Sequence, residues 1–228
     1  MSTSPQETKE PQYGILFDAE KKHGRTKLGL MANASWNLDP RRTLFTLARY
    51  KFAAKMLSGK KNVLEIGCAD AFGTRLIQQE VGQVTAVDFD PLFIADAKDR
   101  VNPHWPMELH VHDILAGPVA GTFDGVCSLD VLEHIQPADE VLFMKNLLAS
   151  MTDDGVAIIG MPSLESQSYA APESKAGHVN CKSGKNYRDF LRGYFENVFL
   201  FSMNDETVHT GFYPMAHYLM ALCVTPKR

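Results

Sequence analysis

From residue 62 onward, short apolar runs alternate with longer stretches in which apolar residues recur every three or four positions. The runs at 62–66, 83–88, 107–112, 123–129 and 155–161 read as strands buried on both faces. The amphipathic stretches at 72–81, 91–101 and 139–151 read as helices, with Asp90-Pro91 and Asp139 as their start signals. Such alternation predicts a parallel sheet covered on both faces. A helix over 184–194 and two strand-like runs, 197–203 and 217–224, close the chain. The link between those two runs is too short for a crossover, so the last strand is expected to be antiparallel. Upstream, Asp39-Pro40 opens a helix whose apolar face is Leu44, Phe45, Leu47, Ala48, Phe52, Met56 and Leu57, and Gly59 ends it. Residues 28–38, with Met31 and Trp36, read as a lid. Residues 1–12 are polar and expected to be disordered. The remainder is expected to be one domain, with a helical cap over 13–60 and a core over 61–228.

Composition narrows the class. The 228 residues are 45% hydrophobic, enough for one sizeable core. A net charge of −4 argues against an extended nucleic-acid surface and leaves a local basic patch open. The short basic run from Lys21 to Lys27 reads as a solvated loop, with a phosphate clamp as the sharper alternative. None of Cys68, Cys127, Cys181 and Cys223 forms a Cys-x-x-Cys pair. Cys68, Cys127 and Cys223 lie in or beside apolar runs, as small core residues of a reducing compartment do. The first residues have no apolar signal region, and no stretch is long enough to span a membrane. A soluble cytoplasmic protein is therefore expected.

In an open parallel sheet, ligands bind outside the carboxyl ends of the strands. That rule selects the turn Gly67 to Gly73, the strand ends at Asp88-Phe89 and Asp113-Ile114, and the loop Asp130 to His134. It also selects two lid loops, 162–183 and 204–216, which contain His178, Asp205, His209 and Tyr213. Asp88 lies about 20 residues beyond the small-residue turn, the spacing at which a dinucleotide fold places the carboxylate that holds a ribose.

These motifs, in this order, resemble the class I S-adenosylmethionine-dependent methyltransferases. The matching residues are Glu65, Gly67, Ala69 and Ala71 in the family's acid-x-Gly-x-Gly-x-Gly turn, then Asp88-Phe89, His112-Asp113-Ile114, and Phe123 to His134 ending in Leu-Glu-His. Two alanines stand where the family has glycines. The resemblance covers about residues 45 to 224. It implies a Rossmann-like doubly wound sheet of seven strands in the order 3-2-1-4-5-7-6, the last antiparallel. It also implies S-adenosylmethionine as cofactor. Asp88 would hold the ribose, Phe89 the adenine face, and Asp113 with the Ile114 N–H the adenine edge. Gly67, Ala69 and the Leu129 carbonyl would lie near the amino-acid part, Glu65 would steady the turn through backbone N–H groups, and Arg49 would reach the cofactor carboxylate.

The implied reaction is methylation of a hydroxyl on a sugar or secondary metabolite. The alternatives are N-methylation of a small amine, with Phe212 and Tyr213 as pocket walls, and a cofactor-binding module without catalysis. A hydroxyl acceptor must lose a proton, for which His178 and then His134 are the candidate bases. A divalent metal stands second to that reading, and no metal is assigned. The candidate ligands would be Asp130, Glu133, His134 and His178, an arrangement similar to that of small-RNA 2′-O-methyltransferases and some quinone-pathway O-methyltransferases.

Overall fold

The computed structural model describes residues 8–228. Residues 1–7, where most of the expected disorder falls, lie outside the described residues. Pro11–Tyr13 forms a single 3-10 turn that leads into α1, Gly14–His23, followed by α2, Leu30–Leu38. In α3, Pro40–Met56, Asp39 caps the first turn by accepting from the Arg41 N–H at 3.2 Å.

The core then alternates as the apolar runs require: β1 Asn62–Ile66, α4 Thr74–Gln78, β2 Gln83–Asp88, α5 Pro91–Arg100, β3 Glu108–Val111, β4 Phe123–Leu129, α6 Glu140–Ala149 and β5 Met151–Pro162. The chain continues through α7 Pro172–Gly177, α8 Gly184–Arg192, β6 Phe195–Asn204, β7 Thr207–His209 and β8 Tyr218–Pro226. β1 to β5 pair in parallel, and β8 runs antiparallel to both β5 and β6.

Among the described residues the sheet has eight strands, in the order β3-β2-β1-β4-β5-β8-β6-β7. The expected order holds once the extra strand is set aside. That strand corrects the expectation of seven. Asp205 adopts a left-handed φ of 50°, which short polar residues tolerate, and so folds β7 back on β6 as a hairpin. Thr207–His209 thereby leaves the expected lid loop and joins the sheet.

Neighbouring strand residues serve opposite faces. Leu64, Val126 and Ile159 pack with Phe143, Leu147 and Leu191 on the side of α6 and α8. Val63, Cys127 and Ile158 pack with Ala53, Leu57, Ile77 and Ile94 on the side of α3, α4 and α5. This double burial explains why the strands are near-continuous apolar runs. All four cysteines are free, with Cys68, Cys127 and Cys223 buried and Cys181 half-buried. No helix of the described residues is long and apolar enough to cross a membrane.

Candidate active site

The turn after β1 is built from left-handed residues. Gly67 has φ 77°, and a Cβ there would overlap Val131. Ala69 and Ala71 take φ 46° and 53°, at a cost of about 1 kcal/mol each. Hydrogen bonds hold this shape. The Gly67 and Cys68 N–H groups donate to the Val87 carbonyl at 2.8 and 3.1 Å, and the Ala71 N–H donates to the Cys68 carbonyl at 2.8 Å. Asp88 ties turn to strand: its Oδ2 accepts from the Ala69 N–H at 2.8 Å and its Oδ1 from the Asp90 N–H at 3.0 Å. A carboxylate has about four acceptor sites, so two remain for a ligand.

The other candidate cofactor residues line up along the same strand ends. Phe89 is 73% exposed beside Asp88, and Ile114 and Leu129 are buried. Asp113 Oδ1 accepts from the Leu115 N–H at 2.9 Å. α2 lies against the turn, since Asp70 Oδ2 accepts from the Ala32 N–H at 2.8 Å. The segment expected as a lid is thus a helix anchored to the turn at its first residues.

Glu65 departs from expectation. Its recorded partner is the Tyr50 hydroxyl, which donates at 2.6 Å, and not the backbone of the turn. The Tyr50 ring reaches it across Gly73, where any Cβ would strike the ring. Burial pushes the Glu65 carboxyl up to about 7, the nearby Asp88 and Asp70 adding to the effect. The folded state therefore binds this proton more tightly than the unfolded state does. Its contribution is fully present below the ordinary carboxylate range and is lost as pH rises from there through about 7. The loss amounts to roughly 3 kcal/mol at about 1.4 kcal/mol per unit. Glu65→Gln keeps an acceptor for Tyr50 without the charge. It is expected to unfold at a higher temperature than the wild type at pH 8 and at a similar temperature near pH 5. Parallel melting curves across that range would overturn the assignment.

The loop after β4 brings together the candidate catalytic and metal-ligating residues. Leu132–His134 forms a 3-10 turn. Its Glu133 carbonyl accepts from the Val179 and Asn180 N–H groups at 2.8 and 3.0 Å, which draws the His178 segment in. One ligand atom each from Glu133, His134 and His178 lie within 4.8 Å of one another, and the two imidazole rings are 5.2 Å apart. His134 Nδ1 donates to the Gly177 carbonyl at 2.9 Å, and His178 Nδ1 to Gln167 Oε1 at 2.7 Å. Both rings are thus held with Nε2 as the free lone pair, the outer-shell arrangement typical of metal-ligating histidines. Glu133 is fully buried, and neither carboxylate oxygen has a partner. Burial, and then the charge of Asp130, push its carboxyl well above the usual range. Burial and the neighbouring His134 hold His178 below the ordinary imidazole value.

A buried carboxyl with no partner, beside two imidazoles that each keep one ring nitrogen uncommitted, fits a divalent cation. The fourth candidate ligand stands apart. Asp130, with φ 57°, takes both of its hydrogen bonds from Arg49 Nη1, at 2.8 and 2.9 Å. Arg49 is therefore engaged by Asp130 instead of being free for the cofactor carboxylate. His209 lies in β7, bonded to Asn204 Oδ1 at 2.8 Å, outside this cluster.

Sequence reasoning missed Tyr50, Gln167 and Tyr218, whose ring lies 3.9 Å under the Arg49 guanidinium. A cavity of about 530 Å³ borders the cofactor turn, whose Asp70, Ala71 and Phe72 line it together with Lys27, Arg75 and Trp105 from the linker after α1, α4 and the segment after α5. Of the expected basic run, Lys21 to His23 end α1 and the rest forms that linker.

Residues 63–155 match the family model described as a methyltransferase domain. The sheet order and the left-handed turn agree with that match, so residues 63–155 carry a methyltransferase domain. The chain is 22% identical over 202 residues to the ubiquinone biosynthesis O-methyltransferase of Xanthomonas campestris pv. campestris (strain B100), covering 84% of this chain and 80% of that protein. Two solved structures share the fold. The N-methyltransferase NodS from Bradyrhizobium japonicum WM9, in complex with S-adenosyl-L-homocysteine, aligns with a TM-score of 0.60 at 20% identity, over 84% of this chain and 92% of that one. The methyltransferase domain of bacterial CtHen1-C aligns with a TM-score of 0.66 at 16% identity, over 80% of this chain and all (100%) of that one.

Proposed function

We propose that this chain methylates a hydroxyl group of a small molecule, a sugar or secondary metabolite, with a divalent cation held by Glu133, His134 and His178. The observation that carries this reading is the unpartnered, buried Glu133 carboxyl facing two imidazoles whose Nδ1 atoms are already committed. Resemblance to an O-methyltransferase of quinone biosynthesis supports the choice of oxygen as acceptor.

The sulfonium of the cofactor is an activated methyl donor, so positioning supplies much of the rate. Asp88 and the left-handed turn would fix the ribose and amino-acid ends, and Phe89 would cover the adenine. The cation would lower the pKa of the acceptor hydroxyl and orient it. His178, neutral at working pH because its pKa is depressed, would keep its Nε2 lone pair for the cation, and the proton of the acidified hydroxyl would pass to solvent; without a cation the same lone pair would be the proton acceptor. The half-buried Cys181 thiol is pushed up to about 12 by burial and is no nucleophile.

The test is methyl transfer from labelled S-adenosylmethionine to pooled catechol, sugar and amine acceptors, with Mg or Mn and after chelation. Labelled hydroxyls that disappear on chelation are the expected result. Labelled amines would favour the N-methyltransferase alternative, and no labelling despite tight cofactor binding would favour a non-catalytic module. Acceptor choice should lie in the lid loops, where Tyr169, Phe212 and Met215 are strongly exposed. Phe212→Ala is expected to raise acceptor KM about tenfold and leave cofactor affinity unchanged, as loss of one aromatic contact implies. An unchanged KM would remove Phe212 from the pocket.

A further inference from the structure

We propose that Arg49 is a positioning residue that exchanges one carboxylate for another. The cofactor's α-carboxylate takes Arg49 from Asp130, and Asp130 then joins Glu133, His134 and His178 around the cation. Cofactor and cation therefore bind cooperatively. This inference rests on the metal-assisted reading above and adds to it the order in which the site assembles.

Arg49 stands where such an exchange needs it. Its partner Asp130 follows directly on β4, which pairs with β1, so Arg49 lies at the strand ends from which the cofactor turn springs. The guanidinium packs on Tyr218, and both bonds to Asp130 run from Nη1. Arg49 Nε is buried without a partner. A guanidinium carries five donors in a planar fork, suited to gripping a carboxylate with two teeth. Here the grip on Asp130 uses one.

Asp130 is poised between two sites. Its backbone is pinned, because its N–H lies 3.0 Å from the Gly160 carbonyl and 3.2 Å from the Tyr218 hydroxyl oxygen. With the backbone fixed, the carboxylate changes direction by side-chain rotation. Three residues on, Glu133 lies in the turn that follows directly.

The energetics forbid Asp130 from leaving alone. The Arg49 side chain is 20% exposed, so without a partner its guanidinium would be left an unpaired charge in a part-buried place. A replacing anion pairs that charge again. The cofactor brings a carboxylate and the cation brings a use for the released one. Without cofactor the cluster offers one carboxyl and two imidazoles, and with it two oxygen and two nitrogen ligands, a better set for Mg or Mn.

The experiment measures Mn²⁺ binding by the electron paramagnetic resonance of the free ion. The wild-type protein is titrated alone, with S-adenosylhomocysteine, and with 5′-methylthioadenosine, which has the adenine and ribose but no carboxylate. S-adenosylhomocysteine is expected to tighten Mn²⁺ at least tenfold, and Mn²⁺ to tighten S-adenosylhomocysteine by the same factor. Methylthioadenosine is expected to leave Mn²⁺ affinity unchanged. In Arg49→Met, Asp130 is free from the start, so Mn²⁺ binds tightly without cofactor and S-adenosylhomocysteine adds nothing. If both nucleosides act equally on Mn²⁺, or neither acts, the exchange is wrong while the metal site stands. If Mn²⁺ binds in no state, the metal reading itself falls and takes the exchange with it. The wild-type comparison alone decides the matter should Arg49→Met fail to fold.

Discussion

Glu133→Gln is expected to lower turnover by about 100-fold or more and, in the same protein, to raise the thermal unfolding midpoint. The two effects have one cause. Glu133 is sealed from water with both carboxylate oxygens unpartnered, and burial pushes its carboxyl up. Burying such a group unsatisfied costs about 1–3 kcal/mol or more. Replacing it by a neutral group of the same shape relieves part of that cost. Its backbone carbonyl keeps its bonds from Val179 and Asn180, so the loop should remain closed. The rate falls because a ligand set loses its geometry and charge when one member goes. His178→Ala should lose a similar factor of turnover without the gain in stability, because it gives up the bond to Gln167. The depressed His178 pKa carries a further sign. The free base persists below the ordinary imidazole range, so the acid limb of the rate profile should lie lower than that of an unperturbed histidine. Full turnover in Glu133→Gln, or a lowered melting temperature, would remove this residue from the chemistry and make it a core acid.

The strands and the cofactor turn were legible because their cause is local. A strand buried on both faces must be apolar throughout, and β1, β2 and β4 have the bounds expected from their runs. The turn was legible from spacing, and its cost was legible too: Ala69 and Ala71 stand at positions that want glycine, and both take positive φ. Helix lengths were less clear. The helix expected over 72–81 shrinks to Thr74–Gln78, because the left-handed turn extends through Ala71 and the chain must already be at the base of β2 by residue 83. The hairpin that makes β7 lacks any apolar run, so its only signal was Asn204-Asp205.

Two of the three residues of the candidate metal cluster are adjacent in sequence, Glu133-His134. What sequence does not carry is pairing across the fold. The Arg49–Asp130 pair joins positions 81 residues apart, and the Tyr50–Glu65 bond joins a helix to a strand. No periodicity predicts which of two acids an arginine will choose. The physical reason for the choice is visible only in three dimensions, where Tyr218 supports the guanidinium beneath the left-handed Asp130.

Asp88→Ala is expected to weaken S-adenosylhomocysteine binding by well over tenfold and to lower stability by about 1–3 kcal/mol. In the folded protein this carboxylate already accepts from the Ala69 and Asp90 N–H groups. Removing it leaves two backbone donors unpaired in a part-buried place and releases Ala69 from a φ it adopts only under constraint. The ligand then loses a charged acceptor for its ribose hydroxyls and a turn already shaped to receive it. Asp88→Asn separates the two contributions. Its carbonyl oxygen can keep one backbone bond, while its amide cannot accept from the other, so binding should fall by an intermediate factor with a smaller loss of stability. Calorimetry on the three proteins gives both quantities. Equal cofactor affinity in wild type and Asp88→Ala, at equal folded fraction, would show that the acid only fastens the turn and that the ribose is held elsewhere.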